Sequence, residues 1–596
     1  AVAPGAPAPA ASTPGGARRR VPVAALALGL GFFIGLGVLF AWRRNHDDEN
    51  AGPASERRVA VLPFENLGDT ADAYFADGIT DAVRGKLTAV PGMYVTASNS
   101  SNQYRGTVKT PQEIGRELGV DYLLVGKVRW QKAKEGASRV QVSPELIEVN
   151  TARATWQQPF DAALTDVFKV QGDIAGQVAS ALDLALGASQ QRALAERPTA
   201  NLAAYDAYLK AAAVRARSNN PVDLRQAVNY FERAVALDST FAAAWAGLSE
   251  AGSLLYVQGT PSPPVADQAR SAAERALVLA PTQPEGYRAL GDYYRRLLSN
   301  PARAIEQYRK GLAFAPASAD LLRGLALAEQ IQGDWQSSLE HIARSQSLDP
   351  RSVLTADVVG GALLWLRRYP EAIAAFDRSL SIEPSGLNSI EAKAMAYLAQ
   401  GDLTQARAVL AHPPANLDLP TFVAFMGAYY DLYWALDEEQ QALLRRLTPG
   451  PFDGDAGIWG LALAGAYEVH GDMKRARAYA DSARIAFEQQ LKANPDEPQR
   501  LVLLGVSLAY LGRKDEAIGV GERGLALRPV SQDALNGPYF QHQLVRIYIL
   551  LGEPDKAIDR LEPLLRIPYY LSPGWLRIDP TFDPIRKHPR FVKLIQ

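Results

Sequence analysis

The chain has 596 residues, too many for one globular core, so several domains or a repeat array are expected. Its 63 basic and 64 acidic side chains leave a formal charge of −1, which excludes an overall basic footprint for nucleic acid. Cysteine is absent, so disulfides and thiolate metal sites are excluded, and the six histidines (His46, His341, His412, His470, His542, His588) share no metal-ligand spacing.

Residues 1–20 open with Ala, Pro, Gly, Ser and Thr and read as a disordered linker, too poor in apolar surface to fold. The first residue is Ala1 rather than methionine, so either processing of the start or a longer polypeptide with something tethered upstream is expected. Arg18, Arg19 and Arg20 precede an uncharged run over 21–42. At about 1.5 Å per residue that run matches a hydrocarbon core of roughly 30 Å, and a transmembrane helix is expected. It ends in Phe40-Ala41-Trp42-Arg43 without a small-x-small cleavage pattern, which disfavours a signal peptide. Arginines flank both ends, so charge alone does not orient it. Ala27, Gly31 and Gly35 lie four apart on one face, a spacing that would let two helices approach in a homodimer, although glycine and alanine are also simply common in membrane helices. Residues 43–58 read as a juxtamembrane linker.

Over 59–187 the pattern becomes that of an α/β domain with a mixed sheet. Strands are expected at 59–64, 93–98, 122–130, 139–149 and 154–160, and helices at 74–90, 111–118 and 166–186. Pro111 opens the middle helix and Gly119 closes it. Asp77, Gly78 and Asp81 read as first-turn residues of the first helix, favoured there by the helix dipole rather than by chemistry. No histidine lies between Val59 and Leu186, which excludes a His-based acid/base pair in this domain. The segments VAVLPFENLGDTADAYFADGITDAV, ELGVDYLLVGKVR and DVFKVQGDIAGQVASAL resemble the TolB N-terminal-like domain. The sequence departs from that pattern where Gly126 is followed by Lys127.

Residues 200–567 read as an all-α solenoid of about nine helix–turn–helix units. Pro281, Pro316, Pro350 and Pro384 fall 34 or 35 residues apart, and Pro495 and Pro529 repeat the interval. One unit carries Tyr287, Leu290, Gly291 and Tyr294 with Ala304 in its second helix, which resembles the tetratricopeptide pattern. A related unit carries Leu504, Gly505 and Ala517. In both, glycine allows close helix approach and aromatic rings fill the groove between helices. Tyr429, Tyr430, Tyr433 and Trp434 read as inter-repeat packing, and Pro and Gly cluster between Ala411 and Asp455. Residues 568–596 read as a cap, broken by Pro573, Pro580, Pro584 and Pro589 and anchored by Trp575, Phe582 and Phe591.

The order linker, anchor, TolB-like domain, repeats resembles the anchor and sensor half of bacterial membrane serine/threonine protein kinases. That resemblance implies the inner (cell) membrane, a single pass, and a bulk placed extracytoplasmically or in the periplasm. The chain itself lacks His-Arg-Asp, Asp-Phe-Gly, a glycine-rich strand–turn and Gly-x-Ser-x-Gly, so no catalytic residue is assigned. No cofactor is expected in it; ATP and Mg enter only with an upstream kinase domain. The expected function is a membrane-anchored sensor or interaction module for a protein or peptide partner, without nucleic acid. Alternatives are a stand-alone scaffold or the regulatory half of an adenylate-cyclase-type enzyme.

Overall fold

The computed structural model describes residues 57–132, 138–218, 220–258, 262–428 and 430–596. The expected linker, span and small-residue face (Ala27, Gly31, Gly35) lie outside these residues. Among the described residues no helix is long and apolar enough to cross a membrane. The inner-membrane, single-pass placement with an extracytoplasmic bulk is therefore corrected: no described helix carries it.

The first elements are β1 (Arg57–Val61), β2 (Glu65–Asn66), α1 (Ala73–Thr88), β3 (Met93–Val95), the short α2 (Ser98–Ser101) and α3 (Pro111–Leu118). They are followed by β4 (Tyr122–Gln131), β5 (Arg139–Glu148), β6 (Arg153–Gln157), β7 (Phe160–Ala163), α4 (Val167–Ala181) and α5 (Ala188–Ala195). The sheet order is β3-β1-β4-β5-β6, with β2 beside β4 and β7 beside β5. β1 runs parallel to β3 and β4, whereas β5 is antiparallel to β4, β6 and β7, so the sheet is mixed. The single strand expected at 154–160 is two, because Pro159 between them has no N–H to donate to the ladder. α3 is closed as its sequence dictates: Thr110 and Glu113 form a capping box and Gly119 sits at φ 67°.

One sheet face packs through Val61, Leu124, Val142 and Leu146 against α1 and α4; the other packs through Ala60, Leu62 and Leu123 against α3. The first core does not stop at the domain edge. It continues without interruption into Tyr205, Leu209, Phe231 and Leu248 of the first helical hairpins. Gly78 is the reason α1 comes so close: a Cβ there would stand 2.4 Å from Leu209 Cδ2.

Helix pairs then follow one another. They are α6 (Leu202–Arg217) with α7 (Pro221–Leu237), α8 (Ala242–Gln258) with α9 (Pro263–Leu279), and α10 (Pro284–Arg296) with α11 (Pro301–Phe314). Next come α12 (Ala319–Gln332) with α13 (Trp335–Leu348), α14 (Val353–Trp365) with α15 (Tyr369–Ile382), and α16 (Leu387–Gln400) with α17 (Leu403–Leu410). After a degenerate pair, α18 (Leu419–Ala428) and α19 (Glu438–Leu444), stand α20 (Ala456–Val469) with α21 (Met473–Ala493). The last pairs are α22 (Pro498–Tyr510) with α23 (Lys514–Leu527) and α24 (Gly537–Leu550) with α25 (Pro554–Leu564), before the short α26 (Pro573–Ile578) and α27 (Pro589–Leu594). Gly333, Gly401 and Gly471 end the first helix of three pairs with φ between 76° and 88°. Asp334, Asp402 and Asp472 at once cap the second helix by accepting a backbone N–H. The periodic prolines lie in the connections between pairs, where no helical N–H is required.

The first helices of successive pairs touch one another, whereas the second helices stand further apart. The first helices are thus inner and the second outer, which bends the array into an arc. Gly291 and Gly361, both on inner helices, separate the two uses of glycine. A Cβ on Gly291 would meet Tyr308 Cε1 at 2.6 Å, while Gly361 faces open space. Gly291→Ala should cost about 1–3 kcal/mol through overpacking. Gly361→Ala should gain up to about 1 kcal/mol through helix propensity. Urea melts of the two variants should therefore move in opposite directions.

Candidate binding surface

The residues singled out by the repeat pattern are packing residues. Tyr287 stacks on Phe314 at 5.8 Å and its hydroxyl donates to the Pro281 carbonyl at 2.9 Å. Leu290 and Ala304 are buried, Gly291 lies against Tyr308, and Tyr294 meets Tyr293 edge-on and the Arg303 guanidinium face-on. Leu504 and Ala517 are buried, and Gly505 receives the Ile547 side chain. The pattern marks how helices pack.

The inner face carries charge one position further round each helix. Glu250 on α8 pairs with Arg288 on α10 at 2.6 Å and lies 3.8 Å from Arg215 on α6, linking three pairs of the array. On α10, Asp292 takes Arg295 at 2.9 Å and the Tyr308 hydroxyl at 2.7 Å, with Arg296 at 3.6 Å. Arg295 also donates to Tyr308 at 3.1 Å. On α12, Arg323 pairs with Asp320 at 2.6 Å. Burial raises the Glu250 pKa despite Arg288 and Arg215, the mark of a low-dielectric surface. Burial works against the Asp292 carboxylate too, but Arg296 and Arg295 hold it well below the ordinary carboxylate range. Burial likewise opposes the Arg288 charge, yet Glu250, Asp320 and Asp292 hold it above its usual value. The side chains of Arg215, Arg288 and Arg296 remain 26–30% exposed, so solvent reaches part of each. These residues were not singled out in the sequence. Their signal is a charged stripe at 288, 292 and 295/296, one residue beyond the packing positions 287, 291 and 294.

The arc closes on itself twice. In the first closure the α/β domain, already packed on α6, meets the connection after α13. Ser100 Oγ and Asn99 Nδ2 donate to Asp349 at 2.5 and 3.0 Å, Arg351 N donates to Ser100 Oγ at 2.8 Å, and Ala97 N to the Leu348 carbonyl at 3.1 Å. Asp77 and Asp81 belong to this region. No acid lies in the first turn of α1; Asp77 pairs with Arg105 and Asp81 with Arg84.

The second closure brings the C-terminal tail back across the array. Tyr569 N donates to the Trp365 carbonyl at 2.9 Å, Ser572 Oγ to the Ala399 carbonyl at 2.5 Å, and Gly574 lies against the backbone of Gly401. The tail thus covers α24 and α25 and also reaches α14 and α16. It fills the inner face of the second half: Tyr430 meets Tyr570, Trp434 meets Trp575, and Arg546 pairs with Asp431 at 2.6 Å. Tyr433 is buried there, while Tyr429 lies outside the described residues. Glu391 and His542 are buried in this interior, each with one polar atom lacking a hydrogen-bond partner. Among the described residues, the charged inner-face groups of the first half, Arg215, Arg288 and Arg296, remain partly exposed. Among the described residues no group of His, Cys, Asp or Glu is arranged to hold a metal ion.

No protein-family model matches the chain. The chain is similar to a Rhizobium meliloti (strain 1021) protein named "Putative adenylate cyclase 3", with 31% identity over 245 residues. The match covers 40% of this chain, and the chain spans 41% of that relative's length. Among solved structures it is similar to TTC0263, a thermophilic TPR protein of Thermus thermophilus, with 17% identity, 33% of this chain, all of that one, and TM-score 0.29. YrrB, a TPR protein with an unusual peptide-binding site, matches at 16% identity, 30% of this chain, 89% of that one, and TM-score 0.24. The human IFIT1 dimer with PPP-AAAA matches at 15% identity, 60% of this chain, 78% of that one, and TM-score 0.35. The class itself follows from the helix pairs: a small mixed-sheet domain fused to a helical-repeat array of the tetratricopeptide type.

The two closures make separate predictions. Asp349→Ala leaves Ser100 and Asn99 without their acceptor and should cost about 1–3 kcal/mol. Amide exchange should then quicken at 97–104 while 498–527 stays protected. In the second interior, burial and then Arg546 hold the His542 pKa down to about 3. The folded state keeps this imidazole neutral where the unfolded chain protonates it near pH 6.5, so stability falls as pH drops below that value. Between pH 7 and 5 the chain should lose about 2 kcal/mol more than His542→Gln, measured by urea unfolding at each pH.

Proposed function

We propose that this chain is a non-catalytic protein-interaction module that takes a protein or peptide partner along the inner face of α6, α8, α10, α12 and α14. The observation that carries the reading is the asymmetry between the halves: one inner face is filled by the tail, the other is charged and reachable. Buried, pre-paired charges on rigid helices suit recognition, because the groups are held before the partner arrives. The resemblance of the first domain to TolB-like modules fits a regulatory role. The cyclase name of the Rhizobium relative supports an adenylate-cyclase-type signalling enzyme as the larger protein this module would serve; the kinase alternative has only the order of its segments. Nothing in the paired charges resembles a two-metal phosphoryl site.

The test selects binders from a random peptide library on the full chain and maps them by hydrogen exchange. Protection should fall on 242–258, 284–296 and 319–332, with the outer helices unchanged. Protection confined to 498–596, or no selected binder, would overturn the reading. The chain incubated with ATP and Mg should make no cyclic AMP; its formation would move the activity into the chain itself.

A further inference from the structure

Resting on that scaffold reading, we propose that the α/β domain is a gate on the inner face: its joint with the connection after α13 parts to admit the partner, while its joint with α6 holds as the hinge. Three observations carry this. First, the two joints differ in chemistry. At the hinge, Phe75 and Ile79 of α1 share one buried core with Tyr205 and Leu209 of α6. At the other joint the contacts are polar. Besides the bonds of Asp349, Gln103 Nε2 donates to the Arg351 carbonyl and Arg351 Nε donates to Gln103 Oε1, both at 2.8 Å. The Arg351 guanidinium also lies 3.6 Å from Glu117 and 5.8 Å from the centre of the Tyr104 ring. Among the described residues, neither core of the α/β domain takes in a side chain beyond Ala272. Water replaces hydrogen bonds at little net cost but does not replace buried apolar contacts, so the polar joint is the one that opens.

Second, the domain borders the space it would gate. Burial raises the pKa of Tyr208 on α6, and the charges of Glu285, Asp81 and Glu250 raise it further. Asp81 belongs to α1, whereas Glu250 and Glu285 belong to α8 and α10. The α/β domain and the inner-face acids therefore meet around one tyrosine.

Third, the joints stand at the two ends of the charged stretch. α6 begins it and the connection after α13 ends it, so α6, α8, α10, α12 and the α/β domain complete a ring. A segment lying along the inside of a closed ring has to thread through it. Parting one joint lets the segment enter from the side, and a partner that binds the open form better draws the chain toward that form.

The test locks the polar joint in the full chain. Ser100 Oγ lies 2.8 Å from Arg351 N, which places the two Cα atoms within the span of a disulfide. The chain has no cysteine of its own, so Ser100→Cys with Arg351→Cys gives a single reversible lock. With the lock reduced, amides at 97–104 and 348–352 should exchange faster than those of α1 and α6, and oxidation should slow them at least about tenfold. A binder selected from the random library should associate at least about tenfold more slowly with the oxidised chain, and reduction should restore its rate. Arg351→Ala, which needs no thiol, should speed both the exchange and the association. Equal association with the oxidised and reduced chains would overturn the gate and leave the scaffold. Exchange of the polar joint, α1 and α6 at one common rate would overturn the gate as well, because the joint would not part by itself. Absence of any binder would overturn the scaffold reading and with it the admission of a partner. The exchange measurement needs no partner, and so tells that failure from a joint that never opens.

Discussion

An aromatic ring seated on a glycine is the contact on which the array depends. Tyr308, from an outer helix, lies with its ring against Gly291 of its own pair and Gly324 of the next. Phe231 against Gly247, Phe376 against Gly360 and Phe487 against Gly457 repeat the arrangement. A hairpin of two helices has apolar surface on both sides and cannot bury it alone, so each pair needs its neighbours. The ring supplies the buried area, and the missing Cβ lets the inner helices approach. Where inner helices draw together and outer ones do not, the array must curve.

Curvature has consequences for function. It carries the connection after α13 back to the α/β domain, where the buried Asp349 is met by Ser100 and Asn99. It also lets the tail cross the second half and fill it with Tyr569, Tyr570 and Trp575. The same geometry thus produces two different interiors. One is a dry core with buried acids whose pKa values are raised by desolvation, as for Glu391 and Asp579. The other is a charged surface in which arginines hold Asp292 ionised, while burial still raises the pKa of Glu250 beside Arg288 and Arg215.

Much of the architecture is legible in local sequence because its causes are local. Pro111, Thr110 and Gly119 delimit α3 through φ restriction, capping and a left-handed end. Gly401-Asp402 announces a turn because the glycine ends one helix and the aspartate caps the next. Other features escape such reading. Gly78 looks like a helix-start residue, yet its role is to admit Leu209, more than a hundred residues away. The inner-face charges stand one residue from the packing pattern, and only the arc shows which side they face. The expected membrane placement drew on 21–42 and on a family resemblance; no described helix spans a membrane.

The sequence by itself determined the period, the helix pairs, their turns and the mixed sheet, because propensity, capping and hydrophobic spacing act within a few residues. It also excluded thiol chemistry outright. Only the tertiary structure decided that the α/β domain shares a core with the first hairpins, that the tail returns to α14 and α16, and that one inner face is filled while the other is reachable. Those outcomes depend on small rotations between neighbouring pairs, set by side-chain volumes at each glycine–aromatic contact, which accumulate along the array until distant residues meet.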